Sequence, residues 1–339
     1  MTAPAAAPLP APEAAAERPL MEVWNLKRHF LRQSGLFRRQ RQVIRAVDGV
    51  NLTLHRGKTL GLVGESGCGK TTLGRMLVRL DAPTAGGIVL GNSDYSTAQG
   101  DDLKSYRRRV QMVFQDPMAS LNAKMKVHNY ISEPLDVQKI GSRKARAERV
   151  DILLEQVGLS RDMGERFPHQ LSGGQRQRVG IARALAVSPE VIVADEPTSA
   201  LDVSVRAQVV NLLKDLQTQL QVSYLFISHG LSTVRYISDE VAVMYLGKIV
   251  ERAPAQDLFE RPLHPYTRAL LAAVPVPDPV LEARREVILL EGDLPSPANP
   301  PRGCRFNTRC PLATALCRSE EPELKEYGTG HLAACHLVA

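Results

Sequence analysis

Five short stretches of this chain carry side chains whose types and spacing suit phosphate chemistry. GESGCGKT, Gly64 to Thr71, fits G-x-x-x-x-G-K-[ST] without a gap. The glycines Gly64, Gly67 and Gly69, interleaved with Glu65, Ser66 and Cys68, let backbone N–H groups curl around phosphate oxygens. Lys70 then neutralises the terminal phosphates, and the Thr71 hydroxyl, with Thr72 beside it, is placed to ligate Mg²⁺. EVIVADEP, residues 190–197, ends an apolar run in two acids. Asp195 can hold the metal through its water, and Glu196 can polarise an attacking water. Gln115, after VQMVF, can reach Mg²⁺ and sense the γ-phosphate, and His229, after SYLFI, can touch the same phosphate or order the water. Taken singly, these two also fit a loop glutamine and a structural histidine. Finally, Leu171, Ser172, Gly173, Gly174 and Gln175 open a stretch that is helical by pattern. Unpaired N–H groups and the positive dipole end make such a start an anion site. One nucleotide loop and two phosphate-grasping helix starts need an explanation.

The elements that must position these groups alternate. Strand patterns at 22–30, 50–54, 59–64 and 110–114 and at IVLG come before a change of texture at Gln115. From there to Gln170 the sequence is polar and helix-rich, with an amphipathic helix expected over 142–159, and it reads as a helical insertion. Buried strands return at 190–197 and 223–229, and EVAVMYL and GKIVE close the core near residue 251. Strands alternating with helices imply an α/β core with a mostly parallel sheet. Beyond residue 252 a helix is expected around HPYTRALLAAV, then Pro-rich links (PVPDP, PSPANPP) and a cysteine-bearing tail.

Composition sets bounds. At 339 residues and 44% hydrophobic, the chain can bury a full core and a second, smaller unit. No apolar run approaches the ~18–20 residues of a spanning helix. The first 19 residues are Ala/Pro-rich, read as a disordered leader without secretory features, which predicts a cytosolic protein. The net charge of +7 is concentrated in a basic stretch at 27–45, which fits a solvated loop or a contact with acidic lipid or nucleic acid. Four of the five cysteines, Cys304, Cys310, Cys317 and Cys335, lie in the tail. Clustered cytosolic thiols suggest metal or cluster binding. The spacings lack the C-x₂₋₄-C knuckle of structural zinc and suit an iron–sulfur cluster; free thiols, or zinc involving His331 or His336, remain alternatives.

These pieces, in this order, resemble the ATP-binding subunits of ABC transporters. The resemblance rests on GESGCGKT, FQDP, LSGGQ, VIVADEP, SALD at 199–202 and ISH at 227–229. It is sharper with the oligopeptide/dipeptide importer branch and its F-type subunits, through VFQDPMASLN, HPYTRALLAAVPVPDP and CRFNTRCP. It implies a P-loop NTPase fold of ABC type: a nucleotide-binding domain over 20–251, a helical subdomain over about 115–172, and a C-terminal domain over 252–339. It also implies that two ATP-binding subunits pair head to tail, so that Ser172–Gly174 serves the partner's ATP. Asp202 then crosses the interface, His229 acts as the switch histidine, and Phe30, with Phe37 nearby, stacks on adenine.

The implied partners are a second ATP-binding subunit (a D-type paralogue or another copy), two permease subunits and an extracytoplasmic binding protein. No nucleic acid is expected, and the chain would sit on the cytoplasmic face of the inner membrane. The helical insertion would dock on the permeases, with ERFPHQ at 165–170 passing its motion across the dimer. Relatives of this branch can carry a 4Fe–4S cluster on the tail cysteines. Nickel and glutathione importers share such ATPases, so the cargo stays open, and the basic stretch at 27–45 is the main support for an alternative, a soluble ABC-type ATPase acting on nucleic acid or ribosomes. Two departures stand out: Ala123 where the branch usually has Pro, and Gly230 where Asp usually follows the switch histidine.

Overall fold

The computed structural model describes residues 18–34, 40–115, 124–274 and 292–338. The Ala/Pro-rich leader up to residue 17, Phe37 and Ala123 therefore lie outside the described residues. Strands β1 (Met21–Ser34), β2 (Gln40–Leu54), β4 (Ala85–Leu90) and β5 (Ser93–Asp94) make an antiparallel sheet in the order β2-β1-β4-β5. The larger sheet has the order β11-β12-β10-β9-β3-β8-β7-β6. Its strands are β3 (Thr59–Val63), β6 (Val110–Val113), β7 (Val191–Asp195), β8 (Ser223–Ile227), β9 (Glu240–Tyr245), β10 (Lys248–Pro254), β11 (Lys325–Glu326) and β12 (Leu332–Ala333). From β9 to β6 the pairing is parallel, and β10 turns the sheet antiparallel.

The central strands read as continuous apolar runs because both faces of the sheet are covered. Side chains alternate across a strand, so successive residues feed different cores. Ile192 and Ala194 of β7 join Tyr224 and Phe226 of β8 in one core; Val191, Val193, Leu225 and Ile227 join the other. That second core lies towards the antiparallel sheet and takes in helix α1 (Lys70–Leu77) through Leu73 and Met76. Each such side chain, fully buried, contributes about 1.5–3 kcal/mol.

The helices between strands follow the expected alternation, with α2 (Gly100–Arg109) an addition that the sequence reading passed over. Asp101 and Asp102 in its first turn and Arg107 to Arg109 in its last complement the helix dipole, which explains a helix with so little apolar surface. The insertion holds α3 (Val127–Val137) and α4 (Arg143–Gln156), followed by short 3₁₀ turns at Arg161–Glu165 and Pro168–Gln170. Val127, Ile131, Val150, Leu153 and Leu154 are buried at its centre. Then come α5 (Gly173–Leu185), α6 (Val203–Leu220), α7 (Leu231–Ile237), α8 (Ala255–Glu260), α9 (Pro265–Ala272) and α10 (Ala315–Ser319).

Two expectations change. The short strand at 22–30 and the basic loop at 27–45 are one long hairpin, paired from Met21↔Leu54 out to Ser34↔Gln40. Phe30 sits opposite Ile44 and Leu31 opposite Val43, aromatic and β-branched cross-strand pairs that carry the ladder through the charged stretch. Secondly, the boundary expected at 251 falls within β10, and β12 pairs with that strand through Glu251↔Ala333 and Arg252↔Leu332. The cysteine tail is thus stitched onto the edge of the core sheet. Among the described residues no helix is long and apolar enough to cross a membrane.

Candidate functional site

The phosphate loop joins β3 to α1 at the C-terminal end of the parallel strands, where ligands sit in open α/β sheets. Gly69 caps α1 with φ 111°, and a Cβ there would lie 2.2 Å from the Ala46 carbonyl oxygen, so only glycine fits. Lys70 is buried, and its Nζ donates to the carbonyl oxygens of Gly64 (2.7 Å) and Glu65 (2.9 Å), which hold the ammonium inside the loop's curve. Ser66 and Gly67 face solvent. Cys68 is buried beneath them, and burial pushes its thiol above the usual range despite the Lys70 charge, so it acts as a small apolar filler.

Across the loop, the Thr71 hydroxyl donates to Asp195 Oδ1 at 3.2 Å. Burial raises the Asp195 carboxyl above its ordinary range, against the pull of Thr71 and Lys70. Glu196 follows in a left-handed conformation, φ 46°, with its N–H donating to the Ile227 carbonyl at 2.9 Å. A non-glycine residue held there costs of order 1–3 kcal/mol and is over-determined by its surroundings. The turn re-aims the carboxylate: Gln115 Nε2 donates to Glu196 Oε2 at 3.0 Å, and His229 Nδ1 lies 3.4 Å from the same oxygen. Gly230, where the branch usually has Asp, caps α7 with its N–H bonded to Ser228 Oγ at 3.0 Å, leaving the His229 ring on the cleft.

A cleft of about 500 Å³ gathers Ser66, Gly67, Gly69, Lys70, Thr71 and Thr72 with Gln115, Glu196 and His229. Phe30 also lines it, with the Arg28 guanidinium 4.5 Å over its ring. Ile44, Ala46 and Pro297 complete the wall, and these three the sequence reading missed. Pro297 lies in a stretch that reads only as a Pro-rich link, yet its carbonyl accepts from the Arg45 N–H at 3.0 Å and pins the link to β2.

The second helix start lies elsewhere, for Leu171 to Gln175 are absent from the described lining of that cleft. Ser172 caps α5 reciprocally: Gln175 N–H donates to Ser172 Oγ (3.3 Å), and Ser172 N–H donates to Gln175 Oε1 (2.9 Å). Ser172 and Gly173 are exposed, while Leu171 is buried as the anchor. A Cβ on Gly174 would meet Val205 Cγ1 at 2.5 Å, because α6 packs close against this turn. Asp202, just before α6, is exposed and makes no side-chain cap to that helix.

In the tail, burial pushes the Cys304 thiol up to about 11, and its three neighbours Cys317, Cys335 and Cys310 push the same way. Burial likewise raises the Cys310 and Cys335 thiols. Cys335 Sγ receives the Leu337 N–H at 3.5 Å, and Cys317 Sγ lies 3.3 Å from the Thr314 hydroxyl. Among the described residues no three His, Cys, Asp or Glu side chains converge on a point suited to a single metal ion. His331 Nε2 is turned to the fully buried Glu251 (2.8 Å), and His336 Nε2 to the Glu320 carbonyl (3.0 Å), away from a shared site with the thiols.

A Gly-rich loop before a helix, a buried Lys, a Thr–Asp pair and a poised Glu on a parallel sheet define the P-loop class of nucleoside-triphosphate-binding proteins. Comparison narrows the class. The ABC transporter family matches residues 47–199, and the oligopeptide/dipeptide transporter C-terminal region matches residues 250–317. The chain is 51% identical to the oligopeptide transport ATP-binding protein AppF of Bacillus subtilis (strain 168), over 96% of this chain and 99% of that one. Among solved structures, the dimeric ATP-binding cassette MJ0796 bound to ADP and Pi superposes with a TM-score of 0.61 at 28% identity, covering 69% of this chain and 98% of that one. CbiO1 from Clostridium perfringens, part of an ABC transporter complex, also superposes at 0.61, with 26% identity and coverage of 72% and 91%. This chain belongs to the ATP-binding proteins of ABC transporters and is an ATPase cassette with the oligopeptide/dipeptide-type C-terminal region.

Proposed function

We propose that this chain hydrolyses ATP to power a membrane importer of oligopeptides or dipeptides, working as one of two paired ATP-binding subunits beneath two permease subunits. The observation that carries the reading is the Glu196 carboxylate, hydrogen-bonded by Gln115 and 3.4 Å from His229 Nδ1, beside the Lys70–Thr71 helix start. The name of AppF, an oligopeptide transport protein, supports the cargo class. The dimeric state of the MJ0796 cassette supports the pairing.

Thr71, Asp195 and Gln115 offer hard oxygen donors, and the Thr71–Asp195 contact of 3.2 Å fits the one or two protein ligands that Mg²⁺ takes beside phosphates. Mg²⁺ bound there neutralises charge on the β- and γ-phosphate oxygens. Lys70 and the loop N–H groups bind the triphosphate, and Phe30 stacks on the base. Glu196 orients the attacking water and accepts its proton, with His229 fixing the carboxylate and meeting the γ-phosphate. Gln115 opens the helical insertion, so the state of Glu196 is felt by the block that docks on the permeases. The start of α5, with Ser172 to Gly174, closes on the ATP of the partner subunit, and Asp202 lies on the same face. An extracytoplasmic binding protein delivers cargo, and the chain works at the cytoplasmic face of the inner membrane.

Four tail thiols, with Cys317, Cys335 and Cys310 close enough to push the Cys304 thiol up, support a 4Fe–4S cluster on Cys304, Cys310, Cys317 and Cys335. Its role is structural or regulatory. Iron and sulfide in the anaerobically purified chain are expected; stoichiometric zinc instead would replace that assignment.

The deciding experiment is purification of the intact membrane assembly with its binding protein. Two hydrophobic partners and a bound peptide are expected. Nickel or glutathione on the binding protein would change the cargo, and co-sedimentation with ribosomes without permeases would overturn the transport role.

A further inference from the structure

The tail segment CRFNTRC, Cys304 to Cys310, presents three side chains to the nucleotide-binding part of the chain: Arg305, Phe306 and Arg309. All three are nearly inaccessible, with side-chain exposures of 6% for Arg305 and 8% for Arg309, and 1% for Phe306 as a whole. Arg305 donates to Asp48 on β2 and to the Leu246 carbonyl (3.0 Å), fastening the segment to the β9–β10 turn. Arg309 does something different. One guanidinium nitrogen bridges both carboxylate oxygens of Glu65, at 2.9 and 3.1 Å, and Glu65 is the second residue of the phosphate loop.

A second C-terminal group meets the same residue. Tyr266, in α9, offers its phenol oxygen to the Glu65 N–H at 2.8 Å. That ring is locked in an aromatic cluster, 4.6 Å from Tyr245 and 5.4 Å from Phe306 between centroids. On the other side of the same residue, the Glu65 carbonyl accepts from Lys70 Nζ (2.9 Å) and from the Cys68 N–H (3.3 Å). Glu65 is therefore held at its N–H and its carboxylate from the C-terminal region, and at its carbonyl by the loop's own lysine. Rotation of either flanking peptide would break several of these bonds together.

We infer that Arg309 and Tyr266 are positioning residues for nucleotide binding: through Glu65 they hold the phosphate loop in its curled form, so the C-terminal region sets the affinity for ATP. Neither side chain lines the cleft among the described residues, so they act through the loop and not on the nucleotide. Charge-assisted, partly buried pairs of this kind are stronger than neutral ones, and an amide deprived of its acceptor in such a place is costly. Loosening the loop costs binding, because its N–H groups must then be ordered by the ligand itself. Once ATP is bound and the loop is in place, Glu196 and His229 are unaffected.

The inference rests on Gly64–Thr71 being the ATP cradle, which Lys70→Ala tests separately. The experiment is equilibrium binding of a fluorescent ATP analogue with Mg²⁺ to the full chain, with ATPase kinetics of the assembled transporter. Arg309→Ala and Glu65→Gln are each expected to weaken binding about tenfold, and Tyr266→Phe about threefold. The KM for ATP should rise with kcat staying within about twofold. The double variant Arg309→Ala/Glu65→Gln should be no weaker than the worse single one, since both break one pair. Arg309→Lys should restore part of the loss, and Arg318→Ala, an exposed tail change, should do nothing. Affinities within about twofold of the parent for both Arg309→Ala and Tyr266→Phe, or fully additive penalties in the double variant, would overturn the inference. If Lys70→Ala also kept full affinity, the fault would lie in the assignment of the cleft.

Discussion

The two helix starts of this chain, at Gly69 and at Ser172, differ in how much of their surroundings their own molecule provides. Around the first, the chain supplies a buried lysine, a Thr71–Asp195 pair, and a carboxylate hydrogen-bonded by Gln115 with His229 close by. Around the second it supplies only the reciprocal cap of Ser172 and Gln175, an exposed Gly173 and a close packing of Gly174 on Val205. The cap satisfies two of the orphan N–H groups and leaves others of the first turn free of side-chain partners. Under the proposed pairing of two subunits, the first start is the site of chemistry, and the exposed second start is left for the partner's ATP to complete.

The sharpest way to break that contrast is Glu196→Gln. If Glu196 orients the attacking water as proposed, removing its carboxylate should lower ATP turnover about 10²–10⁴-fold in the assembled transporter. ATP binding should persist, and the ATP-bound pair of subunits should accumulate. Turnover within tenfold of the parent would mean that Gln115 and His229 converge on a group with another task.

Next in size is the second helix start. Ser172→Ala and Gly174→Ala should leave ATP binding by the isolated chain within about twofold, because neither residue lines its own cleft. ATPase of the full assembly should fall about tenfold or more, corresponding to at least ~1.4 kcal/mol lost from the closed joint. Equal losses in the isolated chain and in the assembly would erase the difference between the two starts.

The sequence disclosed the first site almost whole and the second only by type. Lys70, Thr71, Asp195 and Glu196 are legible because their motif fixes local backbone: a strand, a turn, a helix. What each of them touches depends on strands far apart in sequence that the sheet order brings together, as β3, β7 and β8 do. Pro297 and Arg309 were hidden for the same reason. Nothing local marks a proline in a Pro-rich stretch, or an arginine beside a cysteine, as reaching the nucleotide loop. The basic stretch reads as a loop because its charge density outweighs its alternation, whereas Phe30↔Ile44 and Leu31↔Val43 make it a hairpin. The sheet edge formed by β11 and β12 is two residues per strand, too short for any periodicity to register.

A smaller effect tests the turn from which Tyr266 reaches the first site. His264 is buried, its Nδ1 accepts from the Tyr266 N–H at 3.1 Å, and burial lowers its pKa to about 4. The unfolded chain, with a histidine pKa near ~6.5, binds the extra proton first, so stability is full above that value and is lost as pH falls from about 6.5 towards 4. Between pH ~7.5 and ~5.5 the loss should be about 1 kcal/mol in urea unfolding. His264→Asn, which keeps an acceptor and does not titrate, should flatten that part of the profile. An unchanged slope would show that other groups govern stability in this range.

The smallest effect expected belongs to Phe30, and it bears on how self-sufficient the first site is. Phe30 lines the same cleft as the phosphate loop, with Arg28 over its ring and Ile44 and Pro297 in the same wall. A base stacked there gains ~0.5–1.5 kcal/mol beyond area burial. Phe30→Ala should therefore raise the KM for ATP about threefold, with kcat at saturation unchanged, because stacking is made equally in the ground state and the transition state. Phe30→Trp should keep or tighten binding. If instead Phe30→Ala left KM untouched, the adenine would be held by a residue other than Phe30, and the chain would own the triphosphate end of its site more securely than the base end.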